Sequence, residues 1–160
     1  MNTILKSIDG INKLVKILLT FSLIVMTIIM ILQVFSRFIL NVPLPWSEEA
    51  TRYLGIYAVF FGAALAIRHN ELISVEAIPD LLPKTVQRVL KMIVLVICIV
   101  FFAILLKYGI DLVSKVSIQK SPALQISMSI PYFSIPLGAF LLILNAIAAL
   151  IVVFKGGDEE

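Results

Sequence analysis

Four long apolar runs divide the chain, and proline, glycine and charge collect in the short stretches between them. The first run extends from Ile17 to Phe35 and is closed by Arg37. Ahead of it Ile4, Leu5, Ile8, Ile11 and Val15 recur at helical spacing, with Lys6, Asp9 and Lys13 on the other side. That is the pattern of a lead-in helix lying at a membrane surface. Asn41-Val42-Pro43-Leu44-Pro45 then breaks the helix, because each proline removes a donor and restrains the residue before it. Ser47 is placed to cap a second helix, and Glu48 and Glu49 in its first turn complement the helix dipole. The uncharged core of this helix, Tyr53 to Ile67, is only 15 residues, about 22 Å against a hydrocarbon layer of about 30 Å. Counting from Ser47 to Arg68 restores about 33 Å. Glu48, Glu49 and Arg52 must therefore sit at, or slightly inside, the membrane boundary.

A polar connection from Arg68 to Pro83 follows, too short for a domain and without a phosphate loop or metal pattern. A third helix starts near Pro83 or Lys84 and is uncharged from Met92 to Leu106. With no glycine or proline before Gly109, it is free to run on past the membrane. Lys120-Ser121-Pro122-Ala123-Leu124-Gln125 is a break, and a fourth span begins between Ser129 and Pro136 and ends near Phe154. Pro136 fits either a first turn or a kink. The spacing thus predicts an all-α integral membrane protein, a single membrane domain over 1–160. Its four transmembrane helices cover about 17–37, 47–68, 84–112 and 134–154, and an N-terminal interfacial segment precedes them.

Composition agrees. Of 160 residues, 61% are hydrophobic and 14% charged, where a soluble domain carries roughly a quarter charged. The net charge of +3 comes from Lys and Arg at the ends of the runs, which anchors the chain at lipid headgroups and gives no nucleic-acid footprint. The lone Cys98 lies within an apolar run and reads as a small hydrophobe. Lys6, Lys13 and Lys16 resemble the start of a secretory signal. However, the run after them is longer than a signal core and no small-residue cleavage site follows, so it reads as an uncleaved first span. Counted on alternate sides, Lys6, Lys13, Lys16, Arg68, Lys84, Arg88, Lys91 and Lys155 outnumber Arg37, Arg52, Lys107, Lys115 and Lys120. That excess places both termini in the cytoplasm.

Candidate chemistry is sparse. The four uncharged cores hold no ionisable group of the kind a pump or transporter keeps at mid-bilayer. Gln33 and Asn145 are the strongest polar groups within spans and read as interhelical hydrogen-bond partners. His69 is the only histidine and lies in a connection, so the paired axial ligands of a membrane haem are missing. No cluster of His, Cys or carboxylate marks a metal, a cofactor or a nucleophile, which argues against an enzyme. Lys107, Asp111 and Lys115 recur every four residues, a solvated self-paired stripe or a binding surface. Ala58, Gly62 and Ala66 share one face of the second helix, spaced to let another backbone approach, from inside the bundle or from a partner. No internal repeat of the kind that builds a self-sufficient transporter is evident.

The most informative stretch is the first turn: Arg37, then Trp46, Ser47, Glu48, Glu49 and Arg52 after the prolines. The short link makes the first two helices antiparallel neighbours, so two bases and two acids are expected to meet at similar depth. Glu48 and Arg52 have favourable i, i+4 spacing, and Arg37 is within reach of Glu48 or Glu49. Trp46 suits the membrane interface. Arg37-Phe38, Pro43-Leu44-Pro45-Trp46-Ser47-Glu48-Glu49-Ala50-Thr51-Arg52-Tyr53, Phe61-Gly62-Ala63-Ala64 and Arg68 together resemble the small membrane subunit, DctQ-like, of tripartite ATP-independent periplasmic (TRAP) transporters. The Ser121-Pro122 break and Ile135-Pro136-Leu137-Gly138 extend the likeness to nearly the whole chain, and it is greatest to sialic-acid members.

The resemblance implies a partner, the large multi-helix subunit that holds the sodium and substrate sites, and a periplasmic binding protein that delivers carboxylates and docks transiently. By that likeness this chain is a non-catalytic scaffold in a bacterial inner membrane, surrounded by lipid, with no transport residue of its own. The 39–47 turn and the segment after Lys107 are then the candidate contacts for the binding protein. An autonomous proton-coupled exporter acting as a homodimer, with Glu48 or Glu49 as its coupling carboxylate, is the alternative. An accessory subunit of some unrelated membrane complex is a third.

Overall fold

A computed structural model describes residues 2–68 and 84–154. The connection 69–83, with His69, and the tail from Lys155 lie outside them. Among the described residues the helices are, in order, α1 Asn2–Phe38, α2 Pro45–Arg68, α3 Lys84–Val116, α4 Ser129–Tyr132 and α5 Ser134–Phe154. Among the described residues four stretches are long and apolar enough to cross a membrane, the last joining α4 to α5. The protein is therefore all-α and multi-pass.

The lead-in and the first span form one uninterrupted helix of 37 residues, about 55 Å long. No proline lies within it to break the ladder, and Gly10 faces open space. The lead-in packs on the bundle. Ile8, Asn12 and Val15 are buried, one helical stripe turned toward α2 and α5. The third helix continues through Gly109 to Val116, further than the span expected for it. Gly109 is a point of close approach: a Cβ there would meet Ile135 Cγ2 at 3.0 Å and Pro136 at 3.3 Å.

Pro136 lies in the first turn of α5, and it also explains why α4 and α5 are separate. Without an N–H it cannot donate to the carbonyl of Tyr132, four residues earlier. The chain nevertheless stays helical at Phe133 (φ −62°, ψ −19°), and Leu137 N–H bonds Phe133 O at 3.2 Å across the joint.

The helices pack as an open row, α1 against α2, α2 against α5, and α5 against α3. Central α5 supplies half of the buried apolar core, with Ala139, Leu142, Ala146, Ala148 and Ala149 almost fully buried. Its alanines let both neighbours come close, which is how helices associate where lipid removes the hydrophobic driving force between them. The outer helices α1 and α3 leave large apolar side chains uncovered along most of their length. Ala58 and Ala66 on α2 are half-buried, and a Cβ on Gly62 or Gly55 would meet nothing within 4 Å. The tightest small-residue contact is instead Gly138, where a Cβ would overlap the Cβ and ring of Phe60.

Gly138→Ala is therefore expected to force α2 away from α5 at a cost of about 1–3 kcal/mol, read as a lower midpoint when the chain is unfolded in mixed micelles. Gly62→Ala should leave the midpoint unchanged. Equal effects from the two substitutions would contradict this packing.

Candidate functional site

The corner between α1 and α2 is built from backbone bonds and prolines. Ser36 donates its hydroxyl to Val42 O at 2.7 Å and accepts the Val42 N–H at 3.1 Å on its own carbonyl. Asn41 turns the chain with φ 56°, a left-handed conformation that asparagine tolerates better than most residues. Pro45 opens α2, because a first helical position needs no N–H and suits its fixed φ. The helix thus begins two residues before the cap expected at Ser47. Ser47 lies inside the first turn, fully buried, and donates its hydroxyl to Leu44 O at 2.7 Å. Trp46 keeps 41% of its surface exposed at this end of the span.

Glu49 is only 7% exposed. Its Oε2 accepts the N–H groups of Ala123 at 2.9 Å and Leu124 at 2.7 Å, and its Oε1 accepts the Tyr53 hydroxyl at 2.6 Å. One turn further along, Tyr57 donates to Ile130 O at 2.6 Å. The face of α2 carrying Glu49, Tyr53 and Tyr57 therefore clamps the segment that joins α3 to α5. That segment is folded on itself: Ser121 N–H bonds Ile126 O at 2.8 Å, Lys120 and Ser127 form an isolated bridge, and Gln125 takes φ 56°. Ser121 is fully buried next to this cluster, and its hydroxyl makes no hydrogen bond of its own among the described residues. A carboxylate accepting charge-assisted bonds from two backbone amides and a phenol is well satisfied.

The expected ion pairs do not form. Among the described residues no salt bridge joins Arg37 or Arg52 to Glu48 or Glu49, and both arginines are exposed. Glu48 instead accepts Gln33 Nε2 at 3.2 Å, and Glu49 is turned inward to the backbone amides. An exposed pair would gain too little to hold two long side chains in one geometry. For the same reason Lys107, Asp111 and Lys115 stand exposed on α3 without pairing, so the self-paired stripe is not present.

A second polar cluster lies at the opposite end. Asn12 and Asn145 exchange amide bonds at 2.7 and 3.0 Å, and Asn145 Nδ2 also donates to Ala64 O at 2.7 Å. This ties α1, α2 and α5 together at one buried point. Arg68 pairs with Asp9 at 2.8 Å nearby, partly exposed. Gln33 and Asn145 thus bridge helices as their positions in the spans predicted. Asn12, the Glu49–amide contacts and Tyr57 were not foreseen. The available signal was the four-residue spacing of Glu49, Tyr53 and Tyr57, which puts them on one helical face.

Chemically, this arrangement joins segments. Among the described residues no group of three or more His, Cys, Asp or Glu gathers to hold a metal, and the most buried carboxylate is committed to backbone. The buried polar groups of this membrane chain bind its own helices and connections. Residues 26–156 match the DctQ component of tripartite ATP-independent periplasmic transporters, and the chain belongs to that family of small permease subunits. The sialic acid TRAP transporter permease protein SiaT of Haemophilus influenzae is 27% identical over 131 residues, 82% of this chain and 21% of that protein. The isethionate TRAP transporter permease protein DctMQ of Oleidesulfovibrio alaskensis is 34% identical over 94 residues, 57% of this chain and 15% of that protein. The sialic acid TRAP transporter small permease protein SiaQ of Vibrio cholerae is 24% identical over 123 residues, 77% of this chain and 71% of that protein. The chain thus spans only a minor part of the first two.

Glu49→Ala would leave two backbone amides without an acceptor at the membrane boundary, at about 1–3 kcal/mol each. Hydrogen exchange at Ala123 and Leu124 is expected to accelerate in this variant while the mid-span amides of α5 stay protected. Unchanged exchange at both would contradict the clamp.

Proposed function

We propose that this chain is the non-catalytic scaffold subunit of a sodium-coupled, binding-protein-dependent importer of carboxylates, of the sialic acid or C4-dicarboxylate class. It resides in a bacterial inner membrane with both termini in the cytoplasm and supports a large multi-helix transport subunit. The observation that carries the reading is the open helix row. Ile24, Ile28 and Ile31 on α1, and Ile93, Ile97 and Ile104 on α3, stand uncovered by any of the described helices. In SiaT and the isethionate permease, the part matching this chain is followed or preceded by several times its length of the same polypeptide, which supports a partner against these faces. The names of SiaT and SiaQ support sialic acid as the substrate class.

In this reading Arg37, Trp46, Glu48 and Arg52 are held outward by the corner for assembly, while Ser47 and Glu49 fix the corner from within. Ala58, Gly62 and Ala66 offer a close approach to a helix of the large subunit. Beyond the membrane, Ile118 is 91% exposed between Lys115 and Lys120. With the 39–47 turn, it forms the surface on which a periplasmic binding protein docks transiently. The exporter alternative loses its carboxylate, since Glu49 is already saturated with hydrogen bonds and Glu48 stands exposed at the end of a span.

Tagged and co-expressed with the large TRAP subunit of its own genome, the chain should co-purify with it, and uptake in proteoliposomes should require both. A stable lone chain that ignores the large subunit, or that moves a cation against a proton gradient by itself, would overturn the proposal. Gly62→Leu is expected to preserve the unfolding midpoint of the isolated chain but to lower recovery of the complex severalfold. Full recovery would remove this face from the interface.

A further inference from the structure

A cavity of about 500 Å³ opens beside the corner, between the start of α2 and the α4–α5 joint. One wall is the Glu49–Tyr53–Ala123 clamp, and the rest of its lining is graded. Ile56, Met128 and Ile135 form apolar walls on the membrane side, whereas Glu48 and Arg52 stand at the end of α2 that meets the headgroups. Both charged side chains are exposed, they form no ion pair with each other, and Arg52 has no carboxylate partner within 4 Å. Glu49 also lines the cavity, but its oxygens face Tyr53, Ala123 and Leu124.

The shape and charge select an amphiphile. Its head must carry a cation for Glu48 beside an anion for Arg52, and its tail must run inward along isoleucine and methionine. We infer that this cavity is a binding site for a phosphoethanolamine glycerophospholipid of the leaflet facing the 39–44 turn. The phosphate accepts from the Arg52 guanidinium, whose planar donors suit phosphate oxygens. The ammonium donates to the free oxygen of Glu48, and one acyl chain enters between Ile56 and Ile135. A singly anionic headgroup such as phosphatidylglycerol satisfies Arg52 but leaves Glu48 facing a hydroxyl. A phosphatidylcholine offers Glu48 a cation that cannot donate. The site therefore discriminates by headgroup, beyond what bulk lipid around any membrane helix would show. A segment of a partner protein filling the same cavity is the competing occupant.

The test is native mass spectrometry of the chain, released with its natural partners into detergent and titrated with phosphatidylethanolamine, phosphatidylglycerol and phosphatidylcholine of identical acyl chains. Phosphatidylethanolamine is expected to bind with one saturable site. Arg52→Gln should weaken it about tenfold, the loss of one charge-assisted contact. Glu48→Gln should abolish the preference over phosphatidylcholine while keeping most of the affinity. Ile56→Trp, which fills the cavity without changing charge, should remove the site. Unfolding midpoints within error of wild type show that each variant is folded. Equal binding of the three lipids by wild type, adducts indifferent to Arg52→Gln and Ile56→Trp, or a cavity occupied by protein in the intact assembly would each overturn the assignment. Because the readout is lipid bound to this chain, it succeeds or fails independently of any transport role.

Discussion

A backbone N–H at the edge of a bilayer has few waters to turn to, and this constraint organises the corner of the molecule. The reversal at 120–127 brings the amides of Ala123 and Leu124 down beside α2, where a helix or strand would have paired them with other backbone. Glu49 supplies the missing acceptor, and it does so from within the first turns of a span. An unsatisfied group there costs about 1–3 kcal/mol, so the carboxylate and the loop stabilise each other. The Tyr57–Ile130 bond extends the clamp to the start of α4. With α4 held, α5 enters the bundle at a fixed point and Gly138 can rest on Phe60.

From that anchoring the open row follows. The middle position goes to α5 because alanine recurs on both of its working faces, against α2 and against α3. The amide exchange of Asn12 and Asn145 performs at the far end what Glu49 performs at the corner, using neutral groups that can be fully buried at small cost. Among the described residues nothing covers the outer faces of α1 and α3.

Much of this was legible in the sequence, for definite reasons. Four spans could be read because a bilayer imposes a length on apolar runs that soluble packing does not. The fate of Gln33 and Asn145 was legible because a polar group in a span has only other helices to bond. Local contacts were less so. Ser47 looked like a cap until Pro45, tolerated at a first helical position, moved the start of α2 back by two residues. The arginine–glutamate pairings failed because spacing alone shows what is within reach, while solvent exposure decides what is worth holding. The Glu49 clamp was out of view altogether, since its backbone partners lie 74 and 75 residues away and no side-chain type announces a backbone amide. The small-residue face on α2 is real as a pattern, but in the chain itself the close approach is made by Gly138 and Gly109.

The buried polar groups of this DctQ-family subunit hold its shape, and under the proposed function substrate is handled by the large subunit. That claim is most directly tested by uptake per assembled complex. With Glu49→Ala, normalised to the amount of large subunit recovered with the chain, the number of complexes should fall while the rate per complex and the KM for substrate remain those of the wild type. A fully assembled Glu49→Ala complex with a changed KM or a shifted pH profile would show that this carboxylate takes part in transport, and would contradict the account.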